Sequence, residues 1–167
     1  MHNITASPSI RAMTPMDIPI VASWMTTLPL WQRYSLTEEK AIRQFERALL
    51  RQDSIFVADC DNGQQRDQLC GFAWCVADGA FARSMYLRQI GVRQDQAKRG
   101  VGSALLDAAE QAARNGSGDL FLLVSDFNQK AQAFYQRHGY HQIGAVPGYI
   151  LPDVTELLYW KQLSRQQ

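Results

Sequence analysis

The stretch that most constrains this chain is residues 88–106, Arg-Gln-Ile-Gly-Val-Arg-Gln-Asp-Gln-Ala-Lys-Arg-Gly-Val-Gly-Ser-Ala-Leu-Leu. A short apolar strand runs into a basic loop, then two glycines, then a helix. Lys98, Arg99, Gly100, Val101, Gly102 and Ser103 stand where that helix begins. A helix start presents unpaired backbone N–H groups and the positive end of the macrodipole. Glycines allow a ligand close to that backbone, and two adjacent cations add charge, so the segment reads as a seat for phosphate or pyrophosphate. An ordinary capped helix start explains the same residues equally well. A Walker loop is absent, and Leu105 stands where a dinucleotide fingerprint needs its third glycine.

A second segment, Asn128-Gln-Lys-Ala-Gln-Ala-Phe-Tyr-Gln-Arg-His-Gly-Tyr140, follows the apolar run Leu120–Val124. Strand, phosphate-type helix start, strand and Asn-x-x-Ala-x-x-Phe-Tyr-x-x-x-Gly-Tyr, in that order and spacing, resemble the GNAT superfamily of N-acetyltransferases. The resemblance covers residues 9–163. It departs from the family at Ala97, where Gln or Arg is usual three places before the first glycine; Gln96, Lys98 and Arg99 lie beside it.

A chain of 167 residues is most simply one domain with a sizeable core. A net charge of +1 gives no general attraction to nucleic acid. No apolar run has the length of a membrane helix, and the first residues lack the pattern of a signal peptide, so a cytoplasmic, non-membrane protein is expected. Cys60, Cys70 and Cys75 have no metal-ligand spacing and read as reduced thiols. Cys60 and Cys70 could face each other across a hairpin, but a disulfide is not expected. No metal site is expected either.

Hydrophobic periodicity predicts strands at Ser9–Met13, Ile55–Ala58, Leu69–Val76, Arg83–Val92, Leu120–Val124, His141–Ala145 and Thr155–Leu163. It predicts helices from Asp17 to Trp24, over Ala41–Leu50 behind a Ser35/Glu38 capping box, over Gly100–Arg114, and from Asn128 to near Gly139. Leu28–Tyr34 reads as a turn, Asp59–Gln68 as a polar loop, Gly116 as a helix C-cap, and Val101, Leu105, Ala108 and Ala112 as the inner face of their helix. The expected fold is α/β: a single domain with a mixed, mostly antiparallel sheet and helices on both faces. The resemblance implies the same order.

The resemblance also implies an acetyl-CoA site. Backbone groups of Ile90 and Val92 would pair with the pantetheine arm, with Gly91 allowing close approach. Pyrophosphate would meet the N–H groups from Lys98 to Ser103. Asn128 would bond the pantetheine arm, although Asn is equally a leading helix cap, and Phe134 would pack beneath the cofactor. Tyr135 would protonate the departing CoA thiolate. Tyr86 and Arg88 occupy the places where relatives carry a Glu or His base, and neither is a base at neutral pH. Asp126, Glu156 and His138 are candidates for the proton acceptor, and none is assigned: His138 reads as a partner of the helix C-terminus and Asp126 as a solvated surface group. Trp31, Arg33, Tyr34, Arg83, Tyr86 and Tyr149 are the acceptor-pocket candidates, Arg33 and Arg83 being suited to a carboxylate. The expected function is direct acetyl transfer from acetyl-CoA to a small-molecule amine. The rival is a non-catalytic acyl-CoA-binding sensor or interaction module, and a homodimer stays open.

Overall fold

The computed structural model describes residues 8–60 and 69–164; most of the polar loop expected over 59–68 therefore lies outside the described residues. Seven strands form a mostly antiparallel sheet in the order β1-β2-β3-β4-β5-β7-β6, accompanied by five α-helices among the described residues. The chain divides into two compact units: Met1–Trp74 with Gln89–Ala109, and Cys75–Arg88 with Glu110–Gln167.

In the first unit, β1 (Ser9–Ala12) pairs antiparallel with β2 (Ser54–Asp59), Ser9 opposite Asp59. Helices α1 (Ile18–Met25), α2 (Pro29–Arg33) and α3 (Glu38–Leu50) follow β1 in the chain. Helix α2 replaces the turn expected over Leu28–Tyr34. Leu28 is extended and Pro29 takes the first helical position, where its fixed φ favours a helix and its missing N–H does no harm. The cap of α3 is Thr37, whose side chain accepts from Lys40 N–H at 3.3 Å, not Ser35. Ser35 has φ +52°, whereas Thr37 has the extended backbone an N-cap requires. The start of β3 (Leu69–Ala80) is buried throughout, and Phe72 packs against Trp24, Trp31 and Phe45 at ring-centroid distances of 5.9, 5.8 and 5.3 Å. Cys60 and Cys70 are joined as a disulfide with Cα atoms 5.9 Å apart, correcting the reading of three reduced thiols. The hairpin places the two residues within bridging distance.

In the second unit, the part of β4 (Ser84–Val92) that precedes Gln89 and β5 (Asp119–Ser125) pair in parallel through Met85–Leu120, Tyr86–Phe121 and Leu87–Leu122. Strand β7 (Thr155–Gln162) pairs antiparallel with β5 and with β6 (His141–Pro147). Helix α4 (Val101–Arg114) has its residues up to Ala109 in the first unit and the rest in the second; it buries Val101, Leu105, Leu106, Ala109 and Ala113, while Ala108 and Ala112 are only half-buried, so the inner face is rotated from the expected one. The left-handed residue after α4 is Gly118 (φ +78°), whose N–H bonds Ala113 O at 2.9 Å; Gly116 is not the left-handed cap. Helix α5 (Gln129–Arg137) packs through Tyr135, which is 5% exposed.

Asp17 does not cap α1 through its side chain. Its carboxylate instead accepts from Thr14 N–H at 2.7 Å and from two Arg11 nitrogens at 2.7 and 2.9 Å. The Arg11 hydrogen bond chiefly holds its carboxyl below the usual range, against the opposing effect of burial. A carboxyl that titrates lower when folded stabilises the fold fully above its unfolded value and loses that contribution as pH falls through the folded value. Asp17→Asn should therefore lower stability at pH 7 by about 1.5–3 kcal/mol, the range for hydrogen bonds to charged groups. The gap between variant and wild type in denaturant titrations should close as pH is taken well below 4; a constant gap would contradict the assignment.

Candidate functional site

In the first unit, the loop before α4 is built around a buried glutamine. Gln96 is 4% exposed and its Oε1 accepts from Arg99 Nη1 at 3.2 Å. That bond anchors Arg99 at the mouth of α4, while Ala97, Lys98, Arg99 and Gly100 remain exposed. Lys98 and Gly100 both take left-handed backbone, φ +68° and +78°, and a Cβ at Gly100 would meet nothing within 4 Å. Gly102 and Ser103, in the first turn of α4, are half-buried, and Val101 is buried. Two cations and the start of a 14-residue helix thus share one open surface, which suits a multiply charged anion.

Ile90 and Val92 are half-buried and Gly91 is buried. The glycine there answers to packing: a Cβ on Gly91 would lie 2.6 Å from Trp31 Cη2 and 2.8 Å from Phe72 Cε1. Trp31, a sequence candidate for the acceptor pocket, is accordingly buried on this strand, at 7% exposure. Arg33 is exposed and Tyr34 half-buried. Two buried polar atoms of this unit, Trp24 Nε1 and Gln89 Oε1, have no hydrogen-bond partner among the described residues. Sequence reasoning passed over both, because only packing reveals a stranded donor or acceptor.

In the second unit, Tyr135 lies among Phe134, Tyr140 and Tyr159, with ring centroids at 5.2, 5.6 and 6.5 Å. Burial pushes its phenol well above the ordinary value, and Cys75 and Tyr86 add smaller upward effects. The hydroxyl is thus held in its proton-bearing form at neutral pH. Asn128 is the N-cap of α5, its side chain accepting from Ala131 N–H at 3.2 Å. Phe134 is half-buried, 4.4 Å from the His138 ring, and His138 closes the helix through a 2.8 Å contact between Nδ1 and Phe134 O.

The last ladder pair of β4 and β5 is Leu87–Leu122. Tyr86 is half-buried; burial raises its phenol, Arg88 lowers it, and Tyr149 and Glu156 add upward effects. Tyr149 is 63% exposed. Arg83 follows a two-residue turn in which Phe81 and Ala82 both have positive φ, closed by Arg83 N–H to Ala80 O at 3.2 Å. Of the two carboxylates weighed from sequence, Asp126 is exposed and accepts from Thr155 N–H at 3.2 Å, while Glu156 is 3% exposed. No helix of the described residues is long and apolar enough to cross a membrane.

The family model "Acetyltransferase (GNAT) family" matches residues 20–140. The chain therefore belongs to the GNAT acetyltransferase family, and it is an enzyme of the acetyl-transfer class. Among solved structures, an N-acetyltransferase from Staphylococcus aureus Mu50 superposes with a TM-score of 0.77 at 18% identity, covering 95% of this chain and 100% of that one. A ribosomal-protein-alanine N-acetyltransferase from Brucella melitensis gives 0.74 at 20% identity over 93% and 99%. At these identities the likeness speaks to the fold. Nourseothricin acetyltransferase gives 0.59 at 28% identity, over 66% of this chain and 65% of that one. No curated protein sequence gives a significant match.

The Gly91 geometry carries its own test. Both rings that a new Cβ would meet are buried, so neither can swing aside cheaply. Gly91→Ala should cost about 1–3 kcal/mol, as other overpacked cores do. In a chain of this size that is a fall of roughly 2–4 °C per kcal/mol. Adding Trp31→Leu should recover part of the loss. A non-additive double-mutant cycle in thermal melts is the expected result, and strict additivity would refute the contact.

Proposed function

We propose that this protein moves the acetyl group of acetyl-CoA to a primary amine of a small molecule, by direct transfer within a ternary complex. A single acetyltransferase domain over residues 1–167, with its motif-bearing core at 9–163, is the unit we assign to the reaction. The observation that carries the mechanism is Tyr135, a family-motif phenol that burial keeps protonated. Acetyl transfer forms a C–N bond and breaks the thioester C–S bond, and the sulfur leaves with an electron pair. A phenol that still holds its proton at neutral pH can deliver it to that sulfur.

The open loop supports the cofactor half of the proposal. Backbone N–H groups from Lys98 to Ser103, with the Lys98 and Arg99 charges, would take the pyrophosphate. Backbone groups of Ile90 and Val92 would take the pantetheine arm. The Asn128 side chain already serves as a cap, so its share in cofactor binding would come through a second lone pair of the same oxygen or through its amide nitrogen. Phe134 would line the arm. When bound, acetyl-CoA supplies the activated acyl group; the protein supplies position and the proton. A covalent acetyl-cysteine route is disfavoured, since free Cys75 is fully buried and burial pushes its thiol up to about 12. On the acceptor side, Arg33, Tyr34, Arg83, Tyr86 and Tyr149 are the proposed contacts, with Trp31 acting through its hold on Gly91. The ribosomal-protein-alanine and nourseothricin enzymes among its structural neighbours carry different acceptors in their names. Our preference for a small molecule rests on the aromatic character of the candidate acceptor residues, which suits a compact, partly apolar acceptor.

Tyr135→Phe keeps the ring packing and removes the proton. It should lower kcat by about 100-fold or more, in line with general-acid contributions, and leave acetyl-CoA affinity within about twofold. CoA release is followed with a thiol reagent across a panel of small amines, and affinity by calorimetry. Unchanged kcat would eliminate the acid role. Tight acetyl-CoA binding without turnover for any amine would favour a sensor.

A further inference from the structure

The strand before the phosphate loop offers no base, yet the second unit holds a buried carboxylate on a different strand. Glu156 lies on β7 directly opposite Ser125 on β5. Tyr86 lies on β4 opposite Phe121 on the same β5. Directly opposed residues share a face, and residues two or four apart along a strand do too. Tyr86, Phe121, Ser125 and Glu156 therefore project from one face of this unit. Ser125 Oγ stands 3.5 and 3.4 Å from the two Glu156 carboxylate oxygens. Both residues are buried, at 6% and 3% exposure.

Electrostatic reach ties this carboxylate to the proposed chemistry. Tyr86 feels Glu156, Arg88 and Tyr149, and Tyr135 in turn feels Tyr86. Tyr86 thus lies within the electrostatic influence of both Tyr135 and the carboxylate. A carboxylate set among half-buried aromatic groups attracts a cation more strongly than one in open water, because the local dielectric is low. The phenol face of Tyr86 adds a cation–π surface for the same group.

We propose that Glu156, with Tyr86 beside it, seats the acceptor's ammonium group and takes its proton. The proton step rests on the acetyl-transfer reading; the ammonium seat does not. The ammonium gives one proton to a Glu156 oxygen and becomes a neutral amine. Its lone pair forms the C–N bond to the thioester carbon. The C–S bond breaks, sulfur leaves with the electron pair and takes the Tyr135 proton. Nitrogen sheds its surplus proton, which restores Tyr135, and Glu156 returns its own to solvent. The sum is amide, free CoA thiol and one proton. The aromatic side chains of Tyr86, Phe121 across the ladder and exposed Tyr149 select a primary amine on an apolar body.

The test has two arms, run on the full chain with CoA bound or with acetyl-CoA turning over. In the first, calorimetry at pH 7 compares 2-phenylethylamine with 2-phenylethanol, which differ by the charge. Wild type should prefer the amine by about tenfold or more, and Glu156→Gln should abolish that preference; Glu156→Asp should keep part of it. No preference in wild type, or one that survives in Glu156→Gln, overturns the seat. Should Glu156→Gln fail to fold in thermal melts, Glu156→Asp carries the arm, and a preference equal to wild type overturns the seat. In the second arm, CoA release with 2-phenylethylamine should fall by about 100-fold in Glu156→Gln. Equal turnover overturns the proton role. A wild type that binds the amine selectively and releases no CoA sinks acetyl transfer and the proton step with it, while upholding the seat.

Discussion

The first unit is organised around one ring. Phe72 is fully buried, with Trp24 from α1, Trp31 from α2 and Phe45 from α3 all within 6 Å of its centroid. Three helices are thereby referred to one strand position. Aromatic pairs at such distances add about 0.5–1.5 kcal/mol each beyond area burial, so the cluster is a large share of this unit's specificity. Its geometry reaches the site through Gly91, which leaves room for Trp31 where any side chain would collide. The strand backbone at Gly91 is set in place by a tryptophan that itself sees little solvent.

The second unit is held by a different device, a buried charge. Glu110 is 4% exposed and accepts from Lys161 Nζ at 2.8 Å, Tyr140 Oη at 3.2 Å and Arg114 Nη2 at 3.3 Å. These contacts join α4 to β7 and to Tyr140, just before β6. A buried carboxylate is tolerable only when paired and hydrogen-bonded, and removing one partner of such a group is expensive. Burial raises the Tyr140 phenol, with Glu110 adding to the effect, so its hydroxyl remains a donor. The motif's closing Gly-Tyr thus serves architecture as much as chemistry. Tyr135 and Tyr140, five residues apart with rings in contact, share a protonation state but divide the labour.

What the sequence made legible follows from where information is local. Strand alternation, the glycines and cations before α4 and the Asn-to-Tyr spacing of α5 are all short-range patterns, and each stands in the structure. Boundaries were less readable because they depend on tertiary partners: β3 runs on to Ala80, and α2 forms where a turn was expected, its proline supplying the start. The inner face of α4 was misjudged by one position because Val101 and Leu105 fit two adjacent stripes; Leu106 and Ala109 decide between them. The disulfide and the Glu110 cluster depend on residues that only folding brings together, Lys161 and Glu110 being 51 positions apart.

The same reasoning separates the two halves of the proposed chemistry. A group that must give up a proton at neutral pH has to keep it until the transition state, and burial of a phenol does that by disfavouring the charged form. A group that must receive a proton needs its charged form sustained, which burial opposes and hydrogen bonds restore. In the proposed chemistry Tyr135, packed among aromatic rings, is the first group, and Glu156, beside the Ser125 hydroxyl, is the second. In the proposed chemistry Tyr86 is not the proton acceptor, since burial raises its phenol. A tyrosine there is compatible with catalysis provided a carboxylate arrives from another strand on the same face. The cross-strand register that puts Glu156 opposite Ser125, and Tyr86 opposite Phe121, is what makes that substitution physically coherent.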